Sequence, residues 1–226
     1  MPNSAAAVGR SRLSAAQEDY LKALHQLAAS GRGVSTSELA EQLHVSPPSV
    51  SEMLAKLAGL GLVTHDRYRS AMLTEAGRAV AVEMVRHHRL LEMYLVEALG
   101  YGWDEVHEEA ERLEHAISEL LEQRIAAVLG EPSSDPHGDP IPSADGRVAD
   151  SSVKTLLSCP AGSRMKVSRV SDRDAGKLRA IADLGLRPGT SLEVVVESRY
   201  EGPIEVRAHG RRMQVPLGLA RAVFVE

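Results

Sequence analysis

The sequence predicts a mainly α-helical protein that ends in a small β domain. Up to about residue 130, apolar residues recur three and four positions apart, which is the spacing of helices that bury one face. After a connector rich in Pro and Gly, short segments alternate apolar and polar residues, as half-buried strands do. Hydrophobic residues make up 43% of the 226 and aromatic residues 3%, so the cores must consist mainly of Ala, Leu and Val.

Residues 1–74 are predicted to form three helices and a hairpin. The first helix lies within residues 13–30 with Ser14 as its cap, and STSELAEQL forms a second, capped by Ser35 or Thr36. After the turn HVSPP, Ser46 caps a third helix, in which prolines at the first positions are tolerated. The run LVTHDRYRSAMLT then supplies two β-like segments around a basic tip. This order is typical of a winged helix-turn-helix domain, whose helix after the turn enters the DNA major groove.

The middle of the chain, residues 75–131, is predicted to be a helical domain. Residues 75–100 form one long helix, and residues 103–130 form a helical stretch with a break near Ala116. Helices this apolar, with little other core beside them, usually pack against a second copy, so we expect a homodimer.

The remaining residues are predicted to form a linker and a tail. The linker, residues 132–152, is rich in Pro, Gly, Ser and Asp. The tail, residues 153–226, is expected to be a small SH3-like barrel interrupted by one helix in DAGKLRAIADLG.

The charge of the chain is unevenly distributed. The net charge of −5 would by itself argue against nucleic acid, but residues 75–131 carry 13 acidic and 5 basic side chains, a net charge of −8. Like charges concentrated on helices destabilise them unless a cation neutralises them, and a divalent cation does so well. One cysteine, Cys159, excludes an intramolecular disulfide. With neither a signal peptide nor a membrane span expected, we predict a cytoplasmic protein.

The acidic segment contains a pattern of potential metal ligands. In HEEAERLEH, an imidazole or a carboxylate recurs at i, i+4, i+7 and i+8, which places all four groups along one stripe of a helix. The long helix before it offers a further His/Glu pair at i and i+4, and the first helix offers acidic residues beside Tyr20. The candidate ligands are Asp19, His88, Glu92, His107, Glu111, Glu114 and His115.

Two other interpretations stay open from the residues alone. These charges could form ordinary helix salt bridges with Arg89 and Arg112, which need no metal. An enzyme is the second alternative, but HEEAE has Glu111 where the zinc motif H-E-x-x-H requires its second histidine. Neither G-x-S-x-G nor a Gly-rich phosphate loop is present. A di-metal hydrolase is therefore the alternative from a different class.

The order of these motifs resembles the diphtheria-toxin-repressor family of metal-dependent transcriptional regulators. The resemblance rests on HHRLLE, EVHEEAERLEH and DPHGDPIP, in that order, between a winged helix-turn-helix and an SH3-like tail. It implies one metal site from His88, Glu92 and His107. It implies a second, regulatory site from Asp19, Glu111, Glu114 and His115. Iron-responsive members have a methionine and a cysteine among the regulatory ligands, whereas Asp19 and Glu111 match the manganese-responsive branch.

The resemblance therefore implies a dimeric repressor activated by Mn²⁺, with Fe²⁺ as the alternative metal, that binds palindromic operators of metal-uptake genes. The short manganese regulators have a glutamate where this chain has Lys22, and they lack the tail. In the long members the tail adds ligands to the first site; Asp174 is the matching residue here, with Asp172 as a neighbour, but the next partner is Lys177. We expect Glu111, Glu114 and Asp19 to repel one another without metal and to leave the first helix loosely docked.

The resemblance also places DNA contacts at the exposed start of the third helix and in the wing. Hydroxyls and prolines bond phosphates and touch thymine methyl groups, so we expect direct base readout to be limited and DNA shape to contribute. The predicted contacts are Ser46, Pro48, Ser49, Ser51, Glu52, Lys56, Arg67 and Arg69.

Overall fold

The computed structural model describes residues 13–28, 32–65, 70–149, 154–197 and 202–226. The chain divides into two compact units. The first unit contains residues 1–88, 113–124 and 142–148, and the second contains residues 89–112, 125–141 and 149–226. None of the described helices is both long enough and apolar enough to cross a membrane.

The first unit begins with the predicted helix-turn-helix. Its helices are α1 (Ala15–Leu27), α2 (Thr36–Gln42) and α3 (Pro47–Gly59), followed by the strand pair β1 (Val63–Thr64) and β2 (Met72–Leu73). The predicted N-caps are confirmed at Ser14, Ser35 and Ser46, each of which accepts a hydrogen bond from a backbone N–H in the first turn. Leucines and valines from all three helices form one buried core.

The middle of the chain is helical, as predicted. Helix α4 spans Glu75–Leu99, and helices α5 (Val106–Leu113) and α6 (Glu119–Val128) follow. The predicted break is confirmed, because residues 114–116 form a turn rather than a continuation of α5. Gly77 lets α4 approach β1 closely, since a Cβ there would lie 1.9 Å from the carbonyl oxygen of Leu62.

The second unit contains the β domain. Its elements are β3 (Lys154–Thr155), a 3₁₀ turn (Leu156–Ser158), β4 (Arg164–Val170), α7 (Ala175–Asp183), β5 (Ser191–Val196), β6 (Ile204–Ala208), β7 (Arg211–Val215), α8 (Leu217–Ala220) and β8 (Val223–Val225). The strands pair antiparallel in the order β3-β8-β4-β5-β6-β7. The fold class is confirmed with one difference from the predicted barrel: β3 and β7 are edges, so the sheet of described residues does not close.

The predicted linker holds an ordered loop between residues 133 and 141. The Asp135 carboxylate accepts hydrogen bonds from the backbone N–H groups of His137 and Asp139, both at 2.9 Å. The Val170 N–H donates to the His137 carbonyl oxygen at 2.8 Å, which ties the loop to β4. Gly138 has φ +90°, and a Cβ there would lie 2.1 Å from the carbonyl oxygen of Ser168. The backbone therefore crosses β4 at a distance that only glycine allows.

Candidate metal centres

Three predicted ligands of the regulatory site lie together in the first unit. Asp19 projects from α1, and Glu114 and His115 lie in the turn that follows α5. One potential ligand atom from each lies within 4.8 Å of the others. His115 Nδ1 is 2.7 Å from a Glu18 oxygen, and its Nε2 is 3.0 Å from Asp19 Oδ1. We call Glu18, Asp19, Glu114 and His115 the α1 cluster.

The chemistry of His115 suits a cation. A neutral imidazole carries one N–H and one lone pair. If Nδ1–H is donated to Glu18, Nε2 presents its lone pair to an Asp19 oxygen only 3.0 Å away. Two acceptors at that distance need a cation or a proton between them, and a metal-binding histidine usually donates its other N–H in this way. These donors therefore fit a divalent metal.

Glu114 is the buried carboxylate of the α1 cluster. Its side chain is 0% exposed, and the Lys22 ammonium donates to both carboxylate oxygens at 2.8 Å. His88 Nδ1 lies 2.6 Å from one of the same oxygens. Burial raises the pKa of Glu114, but His88 and Lys22 outweigh it and lower that pKa overall. Lys22 thus neutralises one of the carboxylates that were expected to repel one another, and the loose docking of α1 without metal stays a prediction.

A second cluster lies in the second unit, around the predicted first site. His107 Nδ1 is 3.1 Å from Glu92 Oε1 and 3.4 Å from Asp172 Oδ2. The loop that follows Ser133 adds two residues that the sequence reasoning missed, Asp135 and His137, whose ligand atoms lie within 4.8 Å of Glu92. We call Glu92, His107, Asp135, His137 and Asp172 the loop cluster.

The inner part of the loop cluster contains a buried imidazole nitrogen that faces a carboxylate. Glu92, Asp135 and His137 are all buried. His137 Nε2 lies 2.8 Å from the carbonyl oxygen of Trp103, an acceptor, so Nε2 carries the proton and the neutral ring has its lone pair on Nδ1. That Nδ1 is buried, has no hydrogen-bond partner among the described residues and lies 3.7 Å from Glu92 Oε2.

The electrostatics of this inner part agree with the geometry. Burial, and then the negative charges of Glu92 and Asp139, raise the pKa of Asp135 to about 8. Burial lowers the pKa of His137, but the facing carboxylates of Glu92 and Asp135 outweigh it and raise that pKa to about 9. Both shifts show that the site favours an added proton, which is a sign that it would also accept a metal cation.

Three further residues were predicted as ligands: Asp174, Glu111 and His88. Asp174 caps α7 by accepting a 3.0 Å hydrogen bond from the Lys177 N–H, and its neighbour Asp172 lies beside His107, so metal binding by Asp174 stays a prediction. Glu111 follows His107 by one helical turn, with its carboxylate 3.8 Å from Nε2. His88 precedes Glu92 by one turn of α4 and contacts Glu114 in the first unit. Metal binding by Glu111 and His88 stays a prediction.

One more group of potential ligands occurs in the first unit, Glu83, His87 and Glu119. His87 already has a carboxylate partner outside this group, because its Nε2 lies 2.9 Å from one oxygen of Glu122. Arg86 donates to the other oxygen of Glu122. Burial raises the pKa of Glu122, but these two partners outweigh it and lower it. We interpret this group as part of an ion-pair network around the buried side chains of His87 and Glu122.

The predicted DNA contacts of α3 are all exposed. Ser46, Pro48, Ser49, Ser51, Glu52 and Lys56 lie on the surface, whereas Val50, Leu54 and Leu57 are buried. Lys56 Nζ pairs with Glu52 at 2.8 Å, one turn away on the same helix. Exposed pairs of this kind are weak, about 0.3–0.5 kcal/mol, so phosphate could replace the carboxylate. Arg67 and Arg69 lie outside the described residues.

Models of three protein families match the chain in order. "Iron dependent repressor, N-terminal DNA binding domain" matches residues 12–71. "Iron dependent repressor, metal binding and dimerisation domain" matches residues 74–143, and "FeoA domain" matches residues 154–226.

Individual relatives are similar over nearly their whole length. The chain is 33% identical to the iron-dependent repressor IdeR of Mycobacterium leprae, over 92% of this chain and 96% of that protein. It is 31% identical to the diphtheria toxin repressor of Corynebacterium efficiens, over 92% and 94%. A solved structure described as a manganese-dependent transcriptional repressor in complex with manganese superposes with a TM-score of 0.86 at 44% identity, over 92% and 98%. The manganese regulator SloR gives 0.75 at 32%, over 93% and 97%.

Proposed function

This chain belongs to the iron-dependent repressor family, and within that family we propose that it is activated by manganese. Family membership makes it a metal-dependent, DNA-binding transcriptional repressor and not an enzyme, so the hydrolase alternative is wrong. Manganese and iron are the two candidate metals, because the two solved structures named above are manganese regulators and the relative from Mycobacterium leprae is an iron-dependent repressor.

The donor atoms of the α1 cluster carry the proposal for manganese. Asp19, Glu114 and His115 offer carboxylate oxygen and imidazole nitrogen, and Glu111 would add another carboxylate. The one cysteine, Cys159, is buried in the apolar core of the second unit and is not among these donors. Carboxylate and imidazole ligands suit Mn²⁺, whereas sulfur ligands would favour softer metals. The same donors would also bind Fe²⁺, with a somewhat higher intrinsic affinity, so Fe²⁺ is the second candidate.

We propose that the two clusters have different roles. The loop cluster, with Glu92, Asp135 and His137 buried and His107 and Asp172 at its edge, would hold a metal that stabilises the second unit. The α1 cluster would be the regulatory site, because Asp19 is on the first helix of the DNA-binding domain. Asp19 and His115, held by one cation, would fix α1 against the turn at residues 114–116. A coupling of about 1–3 kcal/mol is typical for such linked equilibria.

The fixed helix-turn-helix would present α3 to the major groove. Its exposed N-terminal residues suit phosphate and thymine contacts, as proposed for Ser46, Pro48, Ser49, Ser51, Glu52 and Lys56. Leu120 and Leu121 on α6 are 63% and 47% exposed, which supports a homodimer that covers them. A twofold dimer binds a palindromic operator. We propose that the protein acts in the cytoplasm and that its operators lie in promoters of metal-uptake genes.

Metal-dependent DNA binding tests this proposal. The fluorescence anisotropy of a labelled operator-containing fragment is followed while Mn²⁺, Fe²⁺ (under anoxic conditions) or Zn²⁺ is buffered at rising free concentration. Mn²⁺ binds a given site more weakly than Fe²⁺ or Zn²⁺, so it is expected to act at a higher free concentration. Saturation of the operator fragment at high Mn²⁺ supports the manganese assignment. Full activation by Fe²⁺ but only partial activation by saturating Mn²⁺ would establish the iron alternative. Equal binding in chelator would contradict both.

A further inference from the structure

Lys22 places an ammonium group inside the α1 cluster. It is three residues after Asp19 on α1 and is 5% exposed. Its Nζ lies 2.8 Å from each oxygen of Glu114 and 3.3 Å from Nδ1 of His88. A lysine is rarely buried to this extent unless it is paired, so these contacts hold the side chain inside.

The two equal distances from Nζ to the Glu114 oxygens place the ammonium charge midway between those oxygens. An ammonium equidistant from both oxygens of one carboxylate occupies the position that a cation bound by both oxygens would take. Glu114 itself is 0% exposed, so water does not screen its charge, and a buried charge without a partner is costly. A divalent cation on Glu114 would meet the ammonium at close range and in a low-dielectric surrounding, where like charges repel strongly.

We propose that Lys22 is a built-in competitor of the regulatory metal and sets the metal concentration at which the α1 cluster fills. This rests on the proposed function of that cluster. A metal that binds Glu114 must displace Nζ. The free energy of breaking the Lys22–Glu114 pair therefore reduces the free energy of metal binding by the same amount for each metal. Since the cost belongs to the protein without metal, it lowers the affinity for Mn²⁺, Fe²⁺ and Zn²⁺ by a common factor.

The same pair also explains how α1 is held when no metal binds Glu114. Lys22 links α1 to the turn at Glu114, so the helix does not depend on metal for its attachment there. Metal binding would displace Nζ from Glu114 and add the link from Asp19 through the metal to His115, so the docking of α1 that the proposed function requires comes from the metal. Lys22 is accordingly a positioning residue and a determinant of the response threshold, and we do not regard it as a metal ligand.

The test is the Mn²⁺ affinity of a protein whose Lys22 is neutral. Calorimetric titrations in a His137→Asn background, which weakens the loop cluster, compare Lys22→Met with Lys22→Arg. We expect the Mn²⁺ dissociation constant to fall at least about tenfold in Lys22→Met and to stay within about threefold of the parent in Lys22→Arg. The metal-free Lys22→Met protein should unfold at a lower temperature, because Glu114 loses the ammonium group that pairs with its buried charge. Lys166→Met, which neutralises an exposed lysine on β4, should change neither quantity.

A second variant keeps the test decisive if Lys22→Met does not fold. Lys22→Gln retains a hydrogen bond to Glu114 without the charge, and it should also bind Mn²⁺ more tightly. The gain must disappear when Asp19→Ala is added, which assigns it to the α1 cluster. Unchanged or weaker Mn²⁺ binding in both neutral variants would overturn the inference alone. If the parent and every variant bind no Mn²⁺ at this cluster, the proposed function fails and the inference fails with it.

Discussion

At the scale of single residues, three hydrogen bonds within the second unit set the position of His137. Its N–H is held by the Asp135 carboxylate, its carbonyl oxygen by Val170, and its ring Nε2 by the carbonyl oxygen of Trp103. These bonds fix the tautomer and direct Nδ1 towards Glu92. A ring oriented in this way is prepared to bind metal without rearrangement.

Replacing His137 should remove one metal from the protein. His137→Asn lacks the imidazole nitrogen that faces Glu92, so we expect bound Mn²⁺, measured by elemental analysis after gel filtration, to fall by about one ion per chain. His44→Asn is the matched control, because His44 is exposed and asparagine tolerates its φ of 54°. An unchanged Mn²⁺ content in His137→Asn would show that the loop cluster does not hold metal.

Gly138 should also be important for the loop, because its backbone passes close to β4. In Gly138→Ala the new Cβ would lie 2.1 Å from the carbonyl oxygen of Ser168, at a φ of +90° that alanine rarely adopts. We expect a loss of about 2 kcal/mol in the free energy of unfolding, measured with urea. Gly218→Ala, where no atom lies within 4 Å of the added Cβ, should change the stability by less than about 0.5 kcal/mol. Equal stability of the two variants would contradict the described backbone geometry.

The sequence predicts some ligand residues and misses others for a physical reason. Asp19, Glu114 and His115 are found through the spacing of HEEAERLEH and the resemblance to the family, although Glu114 and His115 lie in the turn after α5 and not on the expected helical stripe. Asp135 and His137 lie in a Pro- and Gly-rich stretch that has no periodicity, so it was interpreted as a plain linker. The closely spaced aspartate and histidine in DPHGD were the available signal. Their burial depends on tertiary contacts with β4 and Trp103, which local patterns do not contain.

At the scale of elements, helix caps position the recognition helix. Helix α2 begins with a capping box in which the Ser35 hydroxyl accepts from the Glu38 N–H and the Glu38 carboxylate accepts from the Ser35 N–H at 2.8 Å. Arg32 donates to the same carboxylate at 2.7 Å. Such boxes are visible in the sequence as S-x-x-E, which is why the helix starts were predicted well. Strand pairing depends on long-range contacts, so the open edges of the six-stranded sheet were not predicted.

Removing the α2 cap should weaken the DNA-binding domain. Ser35→Ala is expected to lower the free energy of unfolding by about 1 kcal/mol, whereas Ser37→Ala, at an exposed helical position, should be neutral or slightly stabilising. Hydrogen bonds from Arg32 and Ser35 lower the pKa of Glu38 to about 2. Its contribution should therefore be complete above the ordinary glutamate pKa and decline only as the pH falls towards 2. Urea titrations at pH 7 and pH 3 would check both statements; equal stability of the two serine variants at pH 7 would contradict the capping role.

At the scale of the whole molecule, each compact unit contains its own candidate metal centre. The α1 cluster lies in the unit with the helix-turn-helix, and the loop cluster lies in the unit with the β domain. The order of the DNA-binding domain, the helical domain and the β domain was predicted from the sequence. The division of the helical domain, with residues 89–112 in one unit and 113–124 in the other, depends on tertiary contacts that local sequence patterns do not contain. The proposed division of roles, one stabilising metal and one regulatory metal, follows from this arrangement.

Metal should accordingly stabilise the protein by mass action. A ligand present at 100 times its dissociation constant adds about 2.7 kcal/mol per site to the free energy of unfolding. We expect saturating Mn²⁺ to raise the thermal unfolding midpoint and chelator to reverse the change. In His137→Asn the increase should be smaller than in the parent, and an identical increase would argue against a metal in the loop cluster.

The most direct test of the central claim is the DNA affinity of Asp19→Ala in saturating Mn²⁺, compared with Glu41→Ala and the parent. Glu41 is an exposed glutamate on α2 outside both clusters, so its removal changes the net charge equally without touching either site. If a metal at the α1 cluster controls DNA binding, Asp19→Ala loses about 5- to 150-fold in operator affinity, as expected for a coupling of about 1–3 kcal/mol. Glu41→Ala should then bind like the parent. Equal operator binding by Asp19→Ala and the parent would contradict the claim that this cluster is the regulatory site.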